Sequence, residues 1–357
     1  MEEGYPIVSV ITPTYNIVDK ELTDEFSILV SLLNKQSYPN IEHIIIDKAS
    51  TDGTVQLLQD YKNGGYFQFY SEPDTGRYDA LNKGIMRAKG KYVCFLDCDD
   101  FNHNLMSIAE MVALLEENDA DYTYGTGNVI HPEGFVFEFS PAMYNVFQVM
   151  PCSLQSMMFK KNTLAAEGYF DSKFKYMADF DLIMRLVLKE YGGVYYEKNF
   201  VTSTLSKSYF DDNNRINDEC RQVYIKNFRN LYPLTNDIVD KMVELSEFPQ
   251  PLLEKLSQYF PEESHDDFMT ACEDMHQMRI RAAAGQDITG AEEPVTEENQ
   301  TGQNVQQNPA APTQPQSTPM QSAQSQQSVP RMPNMPTHQT QPQSLRPQNP
   351  IRPQNFQ

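Results

Sequence analysis

The stretch from Lys91 to Asp100 decides the fold of this chain. It reads Lys91-Tyr92-Val93-Cys94-Phe95-Leu96-Asp97-Cys98-Asp99-Asp100. An apolar, β-prone run stops abruptly at an acidic cluster, and so many like charges do not continue a buried strand. We therefore expect a strand that ends at a solvent-facing edge. If the chain stays extended there, Asp97 and Asp99 point the same way, a spacing suited to binding one divalent cation through oxygen.

The same acidic cluster also has a purely structural interpretation. Asp99 or Asp100 could cap a helix that begins near Leu105, because an aspartate oxygen readily accepts a backbone N–H at a helix start. An isolated motif of this kind does not separate the two interpretations. The surrounding sequence has to decide between them.

Apolar runs and helical patterns alternate along the N-terminal part of the chain. The runs Ile7 to Ile11 and Ile41 to Ile46 are typical of buried strands, and helical patterns follow at Leu22 to Asn34 and at Val55 to Tyr61. This alternation predicts an α/β fold with a mostly parallel central sheet and helices on both faces. Ligands of such sheets bind at the carboxyl ends of the strands. The unusual polar residues lie at these ends: Thr12 to Asn16, Asp47, and Asp97 to Asp100.

The composition limits the possible partners. The chain has 357 residues, 28 Lys plus Arg against 49 Asp plus Glu, and a net charge of −21. This acidic excess argues against nucleic-acid binding and against broad electrostatic attachment to anionic lipid. The N-terminus lacks a leader pattern, no apolar run reaches the length of a membrane span, and the scattered cysteines are expected to be reduced thiols. We predict a cytoplasmic protein that could also lie at the inner face of the membrane, with at most peripheral membrane association.

Five segments of the sequence carry a family resemblance. They are Val10 to Asn16, Asp47 with Ser50 to Thr54, Asp79 to Gly84, Phe95 to Asp100, and Met177 to Leu186. In order and spacing they resemble the inverting glycosyltransferases of family 2, which have the GT-A nucleotide-sugar fold and build bacterial surface polysaccharides. The resemblance covers roughly residues 5 to 205, and motifs in a fixed order are far more specific than any one motif.

The resemblance implies a donor site for a nucleotide sugar, with a UDP-sugar as the expected donor. Pro13, Thr14 and Tyr15 would line the nucleotide pocket, and Asp47 would accept a hydrogen bond from the base. Asp97 would lie near the ribose. Asp99 would bind a divalent metal, Mn²⁺ or Mg²⁺, that bridges the two phosphates. The further donor-side residues are Arg77, Asp79 and Asn82, and Asp100 is expected to cap the next helix.

The resemblance also assigns a catalytic base, Asp179. A carboxylate on the face opposite the leaving group can take the proton of the acceptor hydroxyl, so that a single displacement inverts the sugar linkage. Asp181 is the competing candidate, but two residues along a helix point in nearly opposite directions. Gln155 and Ser156 are expected to border the acceptor, a glycan or a lipid-linked molecule.

The resemblance and the composition together predict the domain organisation. We expect a GT-A domain at about residues 1–205, with its nucleotide-binding half at about 1–100 and its acceptor half at about 101–205. A helical extension would follow at about 206–284, and its apolar stripe should pack on the domain. The Gln/Pro/Asn-rich tail, about 285–357, is predicted to be disordered.

A second hypothesis is that the protein is catalytically inactive. It would then be a nucleotide-sugar-binding scaffold that recruits partners through its tail. Intact Asp47, Asp97, Asp99 and Asp179 favour the enzyme.

Overall fold

The computed structural model describes residues 4–101, 104–131, 134–139, 143–204 and 212–286. The described residues up to His276 form one compact unit, and residues 277–286 are the described part of a second unit. The predicted disordered tail falls, apart from residues 285 and 286, outside the described residues. The predicted division at residue 205 stays a prediction.

The helices and strands alternate in the N-terminal half, as the sequence predicts. The strands are β1 (Val8–Thr14), β2 (Ile41–Asp47), β3 (Gln68–Ser71), β4 (Tyr92–Phe95), β5 (Tyr122–Ile130), β6 (Val136–Phe139), β7 (Met158–Lys160) and β8 (Gly193–Thr204). The helices are α1 (Thr23–Asn34), α2 (Thr54–Asn63), α3 (Arg77–Arg87), α4 (Ser107–Asn118), α5 (Lys161–Ala166), α6 (Ala178–Leu188), α7 (Asn213–Phe228), α8 (Asn236–Leu245), α9 (Gln250–Ser257) and α10 (His265–Ala283). None of these described helices is long and apolar enough to span a bilayer.

All the strands belong to one sheet. Its order is β3-β2-β1-β4-β7-β5-β6, and β8 pairs with β5. Strands β3, β2, β1 and β4 pair in parallel, whereas β7 is antiparallel to both β4 and β5. The predicted α/β class is confirmed, with a parallel first half and a mixed second half.

Strand β1 is longer than the sequence suggests. The apolar run that predicts this strand ends at Ile11, yet Thr12, Pro13 and Thr14 continue the parallel ladder with β2 as far as Asp47. The pairing of β1 with β4 ends at Ile11. Pro13 therefore stands where no strand on the β4 side needs its missing N–H, which is where a proline is tolerated in a sheet.

Close packing sets the position of α3 on the sheet. A Cβ atom added to Gly84 would lie 2.4 Å from Cγ2 of Ile11, so the helix backbone rests directly on β1. Glycine is needed there because any side chain would push the two elements apart. The first residue of α3, Arg77, is thereby held at the carboxyl edge of the sheet.

The C-terminal helices complete the main hydrophobic core. Tyr224, Leu252 and Leu256 belong to the same buried cluster as Phe180 of α6 and Phe159 of β7. The expectation that the apolar stripe of these helices packs on the domain is confirmed. This packing makes α7 a direct neighbour of α6.

Candidate active site

Several predicted site residues meet at one edge of the sheet. Strands β1, β2 and β4 run in parallel, so Thr14, Asp47 and Asp97 lie at or just beyond their carboxyl ends. Arg77 at the start of α3 contacts Asp97, and Gln155 from the segment before β7 contacts it as well. The structure thus brings residues predicted for the donor side, Arg77 and Asp97, into contact with Gln155, which was predicted for the acceptor side.

Asp97 is held by two side chains. Arg77 donates to it twice, from Nε to Oδ1 at 3.1 Å and from Nη2 to Oδ2 at 2.9 Å. Gln155 donates from Nε2 to Oδ2 at 2.8 Å. The side chains of Arg77 and Asp97 remain 29% and 26% exposed, so the pair is accessible to solvent.

The acidic cluster is a turn and not an extended strand. Strand β4 ends at Phe95, and the N–H of Asp100 donates to the carbonyl of Asp97 at 3.1 Å. The Asp100 carboxylate is 1% exposed and accepts the N–H of Asp97 at 2.6 Å. Two expectations are therefore wrong: Asp97 and Asp99 do not alternate along an extended chain, and Asp100 stabilises its own turn instead of capping α4.

Asp99 carries an uncompensated charge. Burial raises the pKa of its carboxyl to about 6, and the nearby Asp97 carboxylate contributes to the rise. Burial also raises the pKa of Asp100, with Asp97 and Asp99 as further causes. Among the residues that the structure describes, no cation forms an ion pair with Asp99, and no three His, Cys, Asp or Glu side chains form a ready-made metal shell.

Asp47 is buried and fully engaged. Its carboxylate accepts hydrogen bonds from the Thr14 hydroxyl at 3.2 Å, the Ser50 N–H at 3.0 Å, the Ser50 hydroxyl at 2.5 Å and the Ser71 hydroxyl at 2.7 Å. A carboxylate has about four acceptor positions. A direct contact with a nucleobase would therefore have to replace one of these donors, and the predicted base contact stays a prediction.

Tyr15 is the accessible member of the predicted nucleotide pocket. Its side chain is 45% exposed, whereas Thr14 is buried and Pro13 is half-buried. The amino groups of Lys20 and Lys48 lie 5.1 and 5.6 Å from the centre of the Tyr15 ring. An exposed aromatic ring can stack on a nucleobase, and the two neighbouring ammonium groups can attract phosphate.

Asp179 lies in the first turn of α6 and is partly exposed. Burial raises the pKa of its carboxyl, and the positive charge of Arg77 partly offsets the rise. The carboxylates of Asp97 and Asp179 in turn raise the pKa of Arg77, even though burial of the guanidinium opposes this rise. The guanidinium of Arg77 therefore links the acidic turn electrostatically to the proposed base.

Asp181 has a structural environment. It is fully buried, and its carboxylate accepts hydrogen bonds from Arg185 at 2.9 Å, Lys226 at 2.9 Å and Asn227 at 3.1 Å. These partners come from α6 and α7. The opposite directions expected for Asp179 and Asp181 are found.

Three predicted residues make contacts that do not face the acidic turn. Asp79 accepts the N–H of Thr75 at 3.0 Å, and Asn82 exchanges two hydrogen bonds with the backbone of Phe170. Ser156 is fully buried and donates to the carbonyl of Ser153 at 2.8 Å. Asn82 and Ser156 stabilise loops in this structure, and their predicted ligand contacts stay predictions.

Two residues near the site were not predicted from the sequence. Tyr78 donates from its hydroxyl to the carbonyl of Tyr176, just before α6, at 3.0 Å. Glu219 of α7 accepts backbone N–H groups of the same segment. Both contacts join residues far apart in sequence, and no local pattern signals them.

Comparison with known proteins identifies the family. Residues 9–180 match the family model described as Glycosyl transferase family 2. An uncharacterized glycosyltransferase of Mycobacterium tuberculosis strain H37Rv, Rv1514c, is 32% identical over 197 residues, which are 51% of this chain and 70% of the relative. The chain therefore belongs to glycosyl transferase family 2, and the resemblance carried by its motifs is confirmed.

A second relative covers a shorter region. The putative teichuronic acid biosynthesis glycosyltransferase TuaG of Bacillus subtilis strain 168 is 44% identical over 102 residues, or 28% of this chain. The match covers only 38% of the length of TuaG.

Solved structures of similar fold support the architecture. Staphylococcus aureus TarS, residues 1–349, has a TM-score of 0.52 at 17% identity and covers 79% of this chain and 94% of its own. The mannosyltransferase PcManGT of Pyrobaculum calidifontis, solved with GDP-Man and Mn²⁺, has a TM-score of 0.50 at 20% identity, with 80% of this chain and 77% of its own covered. The likeness confirms the predicted fold class.

Proposed function

We propose that this protein is an inverting glycosyltransferase that moves a sugar from a nucleotide-diphosphate donor, a UDP-sugar, to a hydroxyl of a glycan or lipid-linked acceptor. One observation carries the proposal. Arg77 forms a paired contact with Asp97 and also acts electrostatically on Asp179, so that one guanidinium interacts with both a donor-side acid and a candidate base.

Tyr15, Lys20 and Lys48 are the proposed contacts of the nucleotide. The exposed Tyr15 ring would stack on the base, and the two lysine amino groups would offset the charge of the phosphates. These local cations matter because the chain has a net charge of −21. Asp47 would fix the base only by exchanging one of its present hydrogen-bond donors.

The acidic turn has the chemistry expected of a divalent-metal site, with Asp99 as the proposed ligand. Its raised pKa indicates that negative charge is poorly compensated, and oxygen ligands suit Mn²⁺ or Mg²⁺. Mg²⁺ is often bound by one or two carboxylates together with substrate phosphates, so a complete protein shell is not required. A metal held there would supply positive charge for the leaving diphosphate.

Asp179 is proposed to remove the proton from the acceptor hydroxyl. Burial raises the pKa of this carboxyl, which makes its ionised form a stronger base than an ordinary aspartate. Gln155 is proposed to hold Asp97 in place at the acceptor side of the cleft, because it donates to that carboxylate at 2.8 Å. The name of TuaG supports, as the acceptor class, a bacterial surface polysaccharide.

The test is a screen of nucleotide sugars with the full chain. We expect hydrolysis of one donor, with UDP-N-acetylglucosamine and UDP-glucose assayed first, that requires Mn²⁺ or Mg²⁺ and stops with excess EDTA. The anomeric configuration of the product, read by NMR, should be opposite to that of the donor. Donor binding without any hydrolysis or transfer would favour the scaffold hypothesis.

A further inference from the structure

A buried glutamate from the C-terminal helices accepts hydrogen bonds from the backbone of the segment that leads into α6. Glu219, on α7, is 4% exposed. Its Oε1 accepts the N–H of Lys175 at 2.8 Å, and its Oε2 accepts the N–H of Tyr176 at 2.7 Å and of Met177 at 3.2 Å. Consecutive backbone N–H groups thus converge on one carboxylate immediately before Ala178, the first residue of α6.

This contact anchors the segment just before α6. The three N–H groups belong to Lys175, Tyr176 and Met177, which precede the first residue of the helix, so Glu219 satisfies backbone donors of the entering segment. A carboxylate near the start of a helix also interacts favourably with the helix dipole. Because Glu219 reaches this segment from a different helix, the position at which α6 begins depends on the position of α7.

The same segment is also held by α3. The Tyr78 hydroxyl donates to the carbonyl of Tyr176 at 3.0 Å. Tyr78 is the neighbour of Arg77, whose charge acts on Asp179. The start of α6 is therefore fixed between the helix that carries Arg77 and the helix that carries Glu219.

We propose that Glu219 is a positioning residue for the reaction: by fixing residues 175–177 it holds the Asp179 carboxylate in the direction of the acceptor hydroxyl. This inference rests on the proposed function, in which Asp179 is the base. Glu219 itself touches no substrate. The required precision is high, since a displacement of about 1 Å can lower a rate by about 100-fold.

The first experiment compares Glu219→Ala and Glu219→Gln in the full chain. The probe is hydrolysis of UDP-N-acetylglucosamine with Mn²⁺, or of the nucleotide sugar that the unmodified protein hydrolyses in the screen above. For Glu219→Ala we expect kcat to fall about 10- to 100-fold while the donor KM stays within about twofold. Glu219→Gln keeps one acceptor oxygen and should retain more activity than the alanine variant.

A matched control comes from the preceding residue. Asp218 lies on the same helix, has a side chain that is 69% exposed, and contacts Arg221 at 3.2 Å. Asp218→Ala should keep the unmodified kcat. A Glu219→Ala protein that is folded by circular dichroism and keeps full kcat would overturn the positioning role. If the alanine variant does not fold, the glutamine variant decides, and a full kcat there overturns the role equally.

A double variant separates this inference from the proposed function. If Glu219 acts through Asp179, adding Glu219→Ala to Asp179→Asn should lower the residual single-turnover rate by less than about twofold. Multiplied losses would overturn the positioning role and leave the base assignment intact. Full activity of Asp179→Asn alone would overturn the base assignment and, with it, the role of Glu219.

Discussion

Arg77 forms a bidentate ion pair with Asp97: its Nε donates to Oδ1 at 3.1 Å and its Nη2 donates to Oδ2 at 2.9 Å. The geometry of a guanidinium matches that of a carboxylate, so this pair fixes orientation as well as distance. It ties the start of α3 to the turn after β4. Burial raises the pKa values of Asp99 and Asp179, and the positive charge of Arg77 partly offsets both rises.

Replacing Arg77 by glutamine should move the pH dependence of the reaction. Arg77 lowers the pKa of Asp179, so its removal should raise that pKa. A base with a higher pKa is deprotonated only at higher pH, and the acidic limb of kcat should therefore shift toward higher pH. The measurement is kcat for donor hydrolysis between pH 4.5 and about 9.

Arg87→Gln is the control for this shift. Arg87 lies at the other end of α3 and pairs with Glu72 at 2.8 Å. It should leave the acidic limb unchanged. An unchanged or lowered limb in Arg77→Gln would contradict the proposed electrostatic link between Arg77 and Asp179.

Asp99 should destabilise the protein that has no metal bound. Its folded pKa of about 6 is above the ordinary value of 3.8, so the folded state binds more protons than the unfolded state between these values. Stability from this group is therefore present below about pH 4 and is lost as the pH rises through about 6. In EDTA, Asp99→Asn should raise Tm at pH 7.5 and change it little at pH 4.

Metal addition gives the second half of this test. Mn²⁺ with UDP should raise the Tm of the unmodified protein, because a ligand that binds only the folded state stabilises it. Asp99→Asn should lose that increase. The exposed Asp24 serves as a control, and Asp24→Asn should keep both responses. An undiminished Mn²⁺-dependent rise in Asp99→Asn would refute the metal assignment.

The sequence predicted the parts of the fold that have strong periodicity. Strands β1, β2 and β4 are continuous apolar runs, and α1 buries the predicted face of Phe26, Leu29, Val30 and Leu33. Strand β3 was missed because it lies at the edge of the sheet and is mostly exposed, so it has no apolar pattern.

The site was predicted less completely than the fold. The motifs predict Asp97, Asp99 and Asp179 as site residues, and these roles stay predictions. The expected alternation of side chains failed after Phe95 because the N–H of Asp97 donates to Asp100 and the chain forms a turn. The hold of Glu219 on residues 175–177 joins positions more than 40 apart in sequence. Such contacts depend on how α7 packs, and local spacing carries no information about them.

Gly84→Ala should destabilise the fold and disturb the site together. The added methyl would lie 2.4 Å from Cγ2 of Ile11, so α3 has to move away from β1. Overpacking of this kind costs about 1–3 kcal/mol. Urea denaturation should show that loss, and Gly4→Ala, with nothing within 4 Å of its added Cβ, should show none. Equal stability of the two variants would contradict the close contact.

The pair Asp179 and Asp181 gives the sharpest separation of catalysis from stability. Asp179→Asn should lower kcat by about 10²–10⁴ because the base is lost. Donor affinity should stay within about twofold, since a base contributes to the transition state and little to donor binding. Its Tm should change little, because the side chain is partly exposed and Asn is almost the same size.

Asp181→Asn should do the reverse. Asp181 is fully buried and pairs with Arg185 and Lys226. Because Arg185 also pairs with Glu167 and Lys226 also pairs with Asp171, neither cation is left uncompensated, and the loss of the Asp181 charge should cost about 1–3 kcal/mol. Urea denaturation should show that cost, while kcat per folded molecule should stay near the unmodified value. Both variants are to be assayed for transfer rate, donor affinity and unfolding in the same buffer. If Asp181→Asn is the folded but inactive protein and Asp179→Asn the active one, the base is misassigned, because the partly exposed carboxylate of Asp179 would then be the dispensable member of the pair.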